Sequence, residues 1–424
     1  MHEHRTRPPS SAVATTLAVV LSLGAVSCGH GPRSGAQAFE RTDSAGIEIV
    51  VTHRPEWSEG EAWTVDPKPT ISIGEVEGEA PYLFADVRGA VRLDDGSVVV
   101  ADGQSREVRF FDRDGTFVRA GGGPGGGPRE FPRDLSNLAR CGPNRIYARD
   151  RYAHRVLEWD SRGEFVRSFQ LVEPDHDPAR GPYAAACTDQ GGFVASGWGN
   201  PMRDMPELPA GGGAEMYTQM APVWVLDSLG ALKADLGSFL SSERIAMRTA
   251  SGGGGSGPHP FGRATTFAAA GGRIFVGSGE GIAVSVYDAD GHRIRIQRAL
   301  TEDLSIDPSL LEAYHEADLS EREAANREWL ERAGVPMPPE LPGYTAMRAT
   351  PDGQLWVKRF ALPGVTSPNR WGVFSPDGVF MGNLELPVGL EVTEIGSDYI
   401  LGVTADSLGV QRVELHRIRR GRAD

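Results

Sequence analysis

The sequence predicts an all-β protein, a six-bladed β-propeller with a small helical insertion between its fourth and fifth blades. Three observations carry that expectation. A strand–turn–strand segment recurs six times along the chain. The turns bounding it keep one interval in three otherwise different copies. The composition, 54 Gly and 30 Pro in 424 residues, suits many short strands joined by tight turns.

The unit is clearest where segment 96–102 leads to 108–115, 144–150 to 156–163, and 272–276 to 284–291. The two turns lie 19 residues apart each time. Weaker copies start at Gly192, Gly353 and Asp398. The Asp-x-x-Gly turns at Asp112, Asp160 and Asp288 fit hairpins whose last turn residue takes a positive φ. Each unit supplies four strands, a to d; in the first these are 87–93, 97–101, 108–111 and 116–120. The sixth unit runs out of chain after strand c, near His416. The strand at 46–51 is expected to supply its missing outer strand and close the ring. The small residues at 184–186 and 268–270 suit innermost strands crowded at the axis, and the apolar residues of strands b and c suit packing between blades.

Gly-x-Val-x-Val-Ala-Asp at 96–102, then Val-x-Phe-Phe-Asp-x-x-Gly at 108–115, then the glycine tract 121–127 with Pro128-Arg-Glu-Phe131, resembles an NHL-type propeller blade. The stretch 44–418 resembles the six-bladed propeller lipoproteins of bacteria. The resemblance implies the fold. It implies no single activity, since propellers host lyases, lactonases and pure binding proteins.

The amino terminus reads as an address. Arg5 and Arg7 precede an apolar stretch at 12–26, too short for a comfortable membrane span, and Ala25-Val26-Ser27-Cys28 follows. It resembles a bacterial lipoprotein signal with Cys28 as the lipidated residue; an ordinary signal cut near Ser27 is the alternative. The expected organisation is a signal peptide at 1–27, a flexible tether at 28–43 and the propeller at 44–420. The expected location is the secreted, periplasm-facing side of a bacterial membrane, with Gly29 after the cysteine pointing to the outer membrane. Such a compartment permits a disulfide between Cys141 and Cys187, though two buried thiols fit equally. The formal net charge of −14 argues against nucleic acid as a partner.

Successive a–b turns are 48, 48, 80, 81 and 45 residues apart. The excess falls in the b–c loop of unit three near 198–220, in the glycine tract 252–257, in a polar segment at about 301–342, and in a slightly longer b–c loop of unit five. All are b–c or d–a connections, which leave a propeller on one face. Insertions on one face mark it for binding. Asp307-Pro308, the capping-box spacing from Ser320 to Glu323, and Gly334 predict two short helices at 301–342, serving as a lid or packed on the blade edge.

Candidate ligand contacts on that face are Arg106 and His154, which occupy equivalent loop positions; Trp198, Asn200 and Arg203 of the unit-three insertion; and Lys358, Arg359 and Arg370 of blade five. Lys358 is one of three lysines in the chain. Asp102 and Asp150, at the ends of strand b, are expected to brace neighbouring loops. The sequence contains no local metal motif beyond His2 and His4 and no nucleophile elbow, and the glycine tract at 121–127 lacks the Lys-Ser/Thr of a phosphate loop. The expected function is a monomeric, membrane-anchored module that binds an envelope protein or a small-molecule ligand through the insertion face, without a cofactor. The alternative is a lactonase- or lyase-like enzyme with its site in the central funnel, where a divalent metal would be held.

Overall fold

A computed structural model describes residues 37–58, 60–171, 182–197, 204–248, 251, 253–306, 308–317, 319, 321–335, 337–362 and 367–421. Cys28, Trp198, Asn200, Arg203, Asp307 and Ser320 lie outside these. One compact unit spans Ala38–Asp424.

Among the described residues six sheets, antiparallel in their four inner strands, follow one another along the chain. Sheet one runs Val87–Arg92, Val98–Asp102, Glu107–Phe111 and Phe117–Gly122, innermost strand first. Sheet two begins at Asn137–Arg140, sheet three at Tyr183–Cys187, sheet four at Thr266–Ala270, sheet five at Ala346–Ala349 and sheet six at Glu391–Ile395. Each innermost strand touches the next, and that of sheet six touches that of sheet one. The core is divided in the same cyclic way. Val99, Phe110, Ile146 and Trp159 pack between sheets one and two. Trp356, Trp371, Ile395 and Ile400 pack between five and six. Phe111, Val98, Leu401 and Leu415 join six back to one. The protein is a β-propeller, and its core is a set of apolar seams between neighbouring sheets rather than one central mass.

The repeat is written into the c–d turns. Asp112 Oδ1 accepts the N–H of Asp114 at 3.0 Å and of Thr116 at 2.8 Å, and Asp160, Asp227 and Asp288 repeat the pattern. Gly115 (φ 84°) and Gly163 (φ 76°) close their turns in a conformation that a side chain would strain. The strand-b aspartates brace loops as expected. Asp150, fully buried, accepts N–H groups from Arg133 and Asp134 of the incoming connection and from Tyr152 and Ala153 of its own turn, at 2.8–3.0 Å. Asp150→Ala leaves these donors unmet, and a loss of about 2 kcal/mol is expected in denaturant unfolding.

Ring closure differs from the expected pairing. The outer strand of sheet six comes from Ile71–Ile73, which pairs antiparallel with Val413, Glu414 and Leu415, and from Thr64–Val65, which pairs with Ile418 and Arg419. The strand at Ile47–Thr52 instead lies parallel to Arg293–Ala299 on the edge of sheet four. Two contacts place it there: Val50 is fully buried, and Glu48 accepts from Arg295 Nε at 2.6 Å. A further strand, Phe39–Ser44, forms a hairpin with it and falls largely inside the stretch expected to be a tether.

The insertions also hold more structure than expected. In sheet three, strand c extends over Gly213–Leu226 and strand d over Leu232–Arg248. Residues 213–222 pair with 238–248 beyond the short inner strands, forming a flap on the insertion face. The glycine tract is no connector: Gly254–Pro258 adds a third flap strand against 244–248, where Arg244 Nε donates to Ser256 Oγ at 3.0 Å. The polar segment forms helices α1 (Pro308–Glu316) and α2 (Glu321–Ala333), and Gly334 (φ 63°) ends α2.

Candidate functional site

Two places emerge, the insertion face and the axis. On the insertion face the flap, the helices and sheet five are fastened together. Tyr314 of α1 is buried edge-on against Phe261, 4.9 Å between ring centroids, and Phe261 lies 6.1 Å from Phe360. Glu302 at the root of the helical segment accepts from Arg359 Nη2 at 2.5 Å and from Asn383 Nδ2 at 2.7 Å. Arg263 donates to Glu243 of the flap through Nε at 2.9 Å and Nη2 at 2.7 Å.

These bonds engage several of the candidate ligand contacts. Arg359, almost wholly buried, holds Glu302. Lys358 pairs with Glu391 at 3.0 Å. Arg106 and His154 are equivalent: both take left-handed φ (57° and 53°), and their carbonyls accept from Gly123 and Leu171. The Arg106 guanidinium donates to the carbonyls of Phe131 at 3.0 Å and Pro132 at 3.2 Å, tying down the glycine connector. Arg370 stays exposed, 3.9 Å from Glu385. Arg106 and His154 stand at equivalent turns of sheets one and two, while Lys358, Arg359 and Arg370 share sheet five, where the Arg359 N–H donates to the Arg370 carbonyl at 2.9 Å.

A cavity of about 500 Å³ follows the axis. All six innermost strands contribute to it, and it reaches the a–b turns at Gly142, Pro143, Asp189 and Pro351. Small residues make the room: Ala186 from sheet three, and Ala268, Ala269 and Ala270 from sheet four. Tyr147, Phe193, Leu138 and Met347 give it apolar walls. The volume and the mixed lining are those of a small-molecule pocket.

Charged groups converge on this space. The residue four before each a–b turn, taken round the ring, is Arg92, Arg140, Thr188, Ala268, Ala349 and Glu394. Arg140 donates to the Arg92 carbonyl at 3.0 Å and pairs with Asp94 at 2.8 Å. Arg92 lies over the Tyr399 ring, 4.7 Å from its centroid. Arg348 of sheet five donates to the carbonyls of Met347, Val392 and Thr393 at 2.9–3.1 Å. Glu394 accepts the Arg92 N–H at 2.6 Å. Burial raises its carboxyl to about 7, against the opposing pull of that N–H and of Arg140, Tyr399 and Arg92. Arg149, from strand b of sheet two, is 6% exposed, and its Nη2 donates to the Pro182 carbonyl. Its Nε has no hydrogen-bond partner, and burial lowers its pKa to about 10.

The cysteines bound this space. Cys141 and Cys187 end the innermost strands of sheets two and three and form a disulfide, Cα–Cα 5.2 Å. Among the described residues no group of three or more His, Cys, Asp or Glu side chains converges as a metal site would require, and no helix is long and apolar enough to cross a membrane.

The ring of sheets places the chain in the class of β-propellers, and solved structures of that kind are similar to it. A Bacteroides fragilis protein that carries the name of an exported protein is 13% identical over 88% of this chain and 100% of its own, with a TM-score of 0.45. A Bacteroides vulgatus member of the DUF4221 family is 10% identical over 85% of this chain and 100% of its own, TM-score 0.44. Virginiamycin B lyase from Staphylococcus aureus is 10% identical over 84% of this chain and 99% of its own, TM-score 0.38. These are likenesses of fold alone. No protein-family model and no curated protein matches the sequence.

Proposed function

We propose that this chain is a lipid-anchored binding protein on the secreted side of a bacterial membrane, and that its ligand seat is the axial cavity. The carrying observation is the cavity itself: about 500 Å³, walled by six innermost strands, with Arg140, Arg149, Arg348 and Glu394 among the residues lining it. The lipoprotein-like signal ending at Cys28 supports the address, and the Cys141–Cys187 bond suits an oxidising compartment.

A second reading, docking of an envelope protein on the insertion face, is favoured by one feature. The flap and α1 are fastened to sheet five through Phe261, Tyr314 and Glu302, which makes a broad firm platform.

Native mass spectrometry of the full chain extracted from its host tests the first reading. The expected species begins at Cys28 with lipid attached and carries one small molecule, which is lost in Ala269→Trp, where an indole would take up axial space. A ligand-free native protein, or a ligand retained by a folded Ala269→Trp, overturns it.

A further inference from the structure

Arg140, Arg149 and Arg348 line the axial cavity and Arg92 lies beside it, in a chain whose net charge is −14. Their partners are unequal. Arg140 has Asp94 beside it. Arg348 is held by three backbone carbonyls, which orient a guanidinium without cancelling its charge. Arg92 stacks on Tyr399. Arg149 has one carbonyl and lies over the Tyr183 ring, 5.5 Å from its centroid, and among the described residues no carboxylate lies within ion-pair distance of it. Its sequence neighbour Asp150 is engaged by four backbone N–H groups. The Nε atoms of Arg92 and Arg149 are both buried without a hydrogen-bond partner. A buried guanidinium with an unmet donor is costly unless a counter-charge completes it.

The carboxylates nearby are too few to do so. Asp94 is taken by Arg140, and Asp189, at the exposed rim, accepts the N–H of Gly272 at 2.8 Å. Glu394 is faced by Arg92 from sheet one, Arg140 from sheet two and Tyr399 of its own sheet, while Arg348 of sheet five binds the carbonyls just before it. Arg140, Arg149 and Arg348 line the cavity against Glu394 and the rim residue Asp189, so guanidiniums outnumber carboxyls there.

Resting on the axial seat proposed above, the geometry points to a ligand class: a small organic anion, a carboxylate or a phosphate ester. Its acidic group lies toward Arg149 and Arg348, and its apolar body lies along Tyr147, Phe193 and Leu138. Charge-assisted bonds to guanidinium are the strong ones, and a site whose donors are left unmet by a neutral analogue discriminates against it. Glu394 then tunes the site. In its neutral form it adds no repulsion, and in its ionised form it competes with the ligand for the same arginines.

Calorimetric titration of the full chain in detergent tests this with three probes: 1-naphthoate, 1-naphthyl phosphate and the uncharged 1-naphthalenemethanol. The anions are expected to bind at least tenfold more tightly than the alcohol. Binding of naphthoate, whose carboxylate is ionised throughout, is expected to weaken several-fold from pH 6 to pH 8, and Glu394→Gln to remove that dependence. Arg149→Gln is expected to cost the anions tenfold or more and leave the alcohol unchanged, with Arg149→Lys retaining part of the preference. Equal affinity for alcohol and anions overturns the anion assignment and leaves the axial seat standing. Absence of binding by all three overturns the inference on ligand class, while the natural ligand sought by native mass spectrometry judges the seat separately. The anion–alcohol comparison uses the unmutated chain, so it holds even where Arg149→Gln fails to fold.

Discussion

Replacing Cys141 and Cys187 together by alanine is expected to lower the unfolding free energy by about 4 kcal/mol. The bond closes a loop with a sequence separation of 46 residues. Opening a loop of that length gives the unfolded chain entropy worth about 4 kcal/mol at room temperature. The position makes the loss matter. Sheets two and three meet beside the axial cavity, which Tyr147, Val156 and Phe193 line. The inner strand of sheet three is irregular, with a register shift between Ala184 and Ala186. The staple joins that strand covalently to sheet two, at the edge of the apolar seam of Tyr147, Phe193 and Trp224. Urea unfolding of the double variant, and of the native chain with and without reductant, measures the loss. A change under about 1 kcal/mol would mean that the seams between sheets hold the ring without the staple.

The second large effect concerns Glu394 and has a sign fixed by its environment. Its folded carboxyl titrates near 7 against an ordinary 4.5, so between those values the folded state binds the extra proton. Stability from this group is complete below about pH 4.5 and is lost as pH rises to 7. The gap corresponds to about 3 kcal/mol. Glu394→Gln removes the ionisation and keeps an oxygen for the Arg92 N–H. The variant is expected to be more stable than the native chain at pH 8, by up to about 3 kcal/mol, with the advantage shrinking to little at pH 4.5. Unfolding curves of both proteins across this range give the difference directly. A variant less stable than the native chain at pH 8 would show that ion pairing with Arg92 and Arg140 outweighs the cost of burial.

The turns and seams were readable because their physics is local. Asp112, Asp160, Asp227 and Asp288 each satisfy N–H groups two and four residues ahead, so the sequence interval carries the hairpin. Closure of the ring was not readable in the same way. Segments 46–51 and 71–73 both alternate apolar residues, and what separates them is distant: Val50 and Glu48 against sheet four, Ile73 against Val413. The strand Gly254–Pro258 left no pattern because glycine has no side chain to alternate; it forms on a template, the edge at 244–248.

The proposed axial seat was hidden for a related reason. Loops and insertions carry conspicuous charges, yet there Lys358, Arg359 and Arg106 hold other parts of the chain. Apart from Arg149 in a strand b, the charged groups at the axis lie in innermost strands, and Arg92 and Glu394 are 302 residues apart. Aligning the units on their a–b turns would have exposed the column Arg92, Arg140 and Glu394, set among the small residues Thr188, Ala268 and Ala349. Arg149 stands where the equivalent position in sheet one holds Ala101, an exchange of a small residue for a cation on one blade. A cation in an inner layer has to be completed by something, and the repeat supplies no carboxylate to do it.

The axial anion seat is tested most directly by a crystal structure of the full chain grown with 1-naphthoate. Density is expected for the naphthoate in the axial cavity, its carboxylate within hydrogen-bond distance of Arg149 or Arg348 and its rings against Tyr147 and Phe193. A water-filled axis with these arginines unmoved, or naphthoate bound solely on the insertion face, would contradict it.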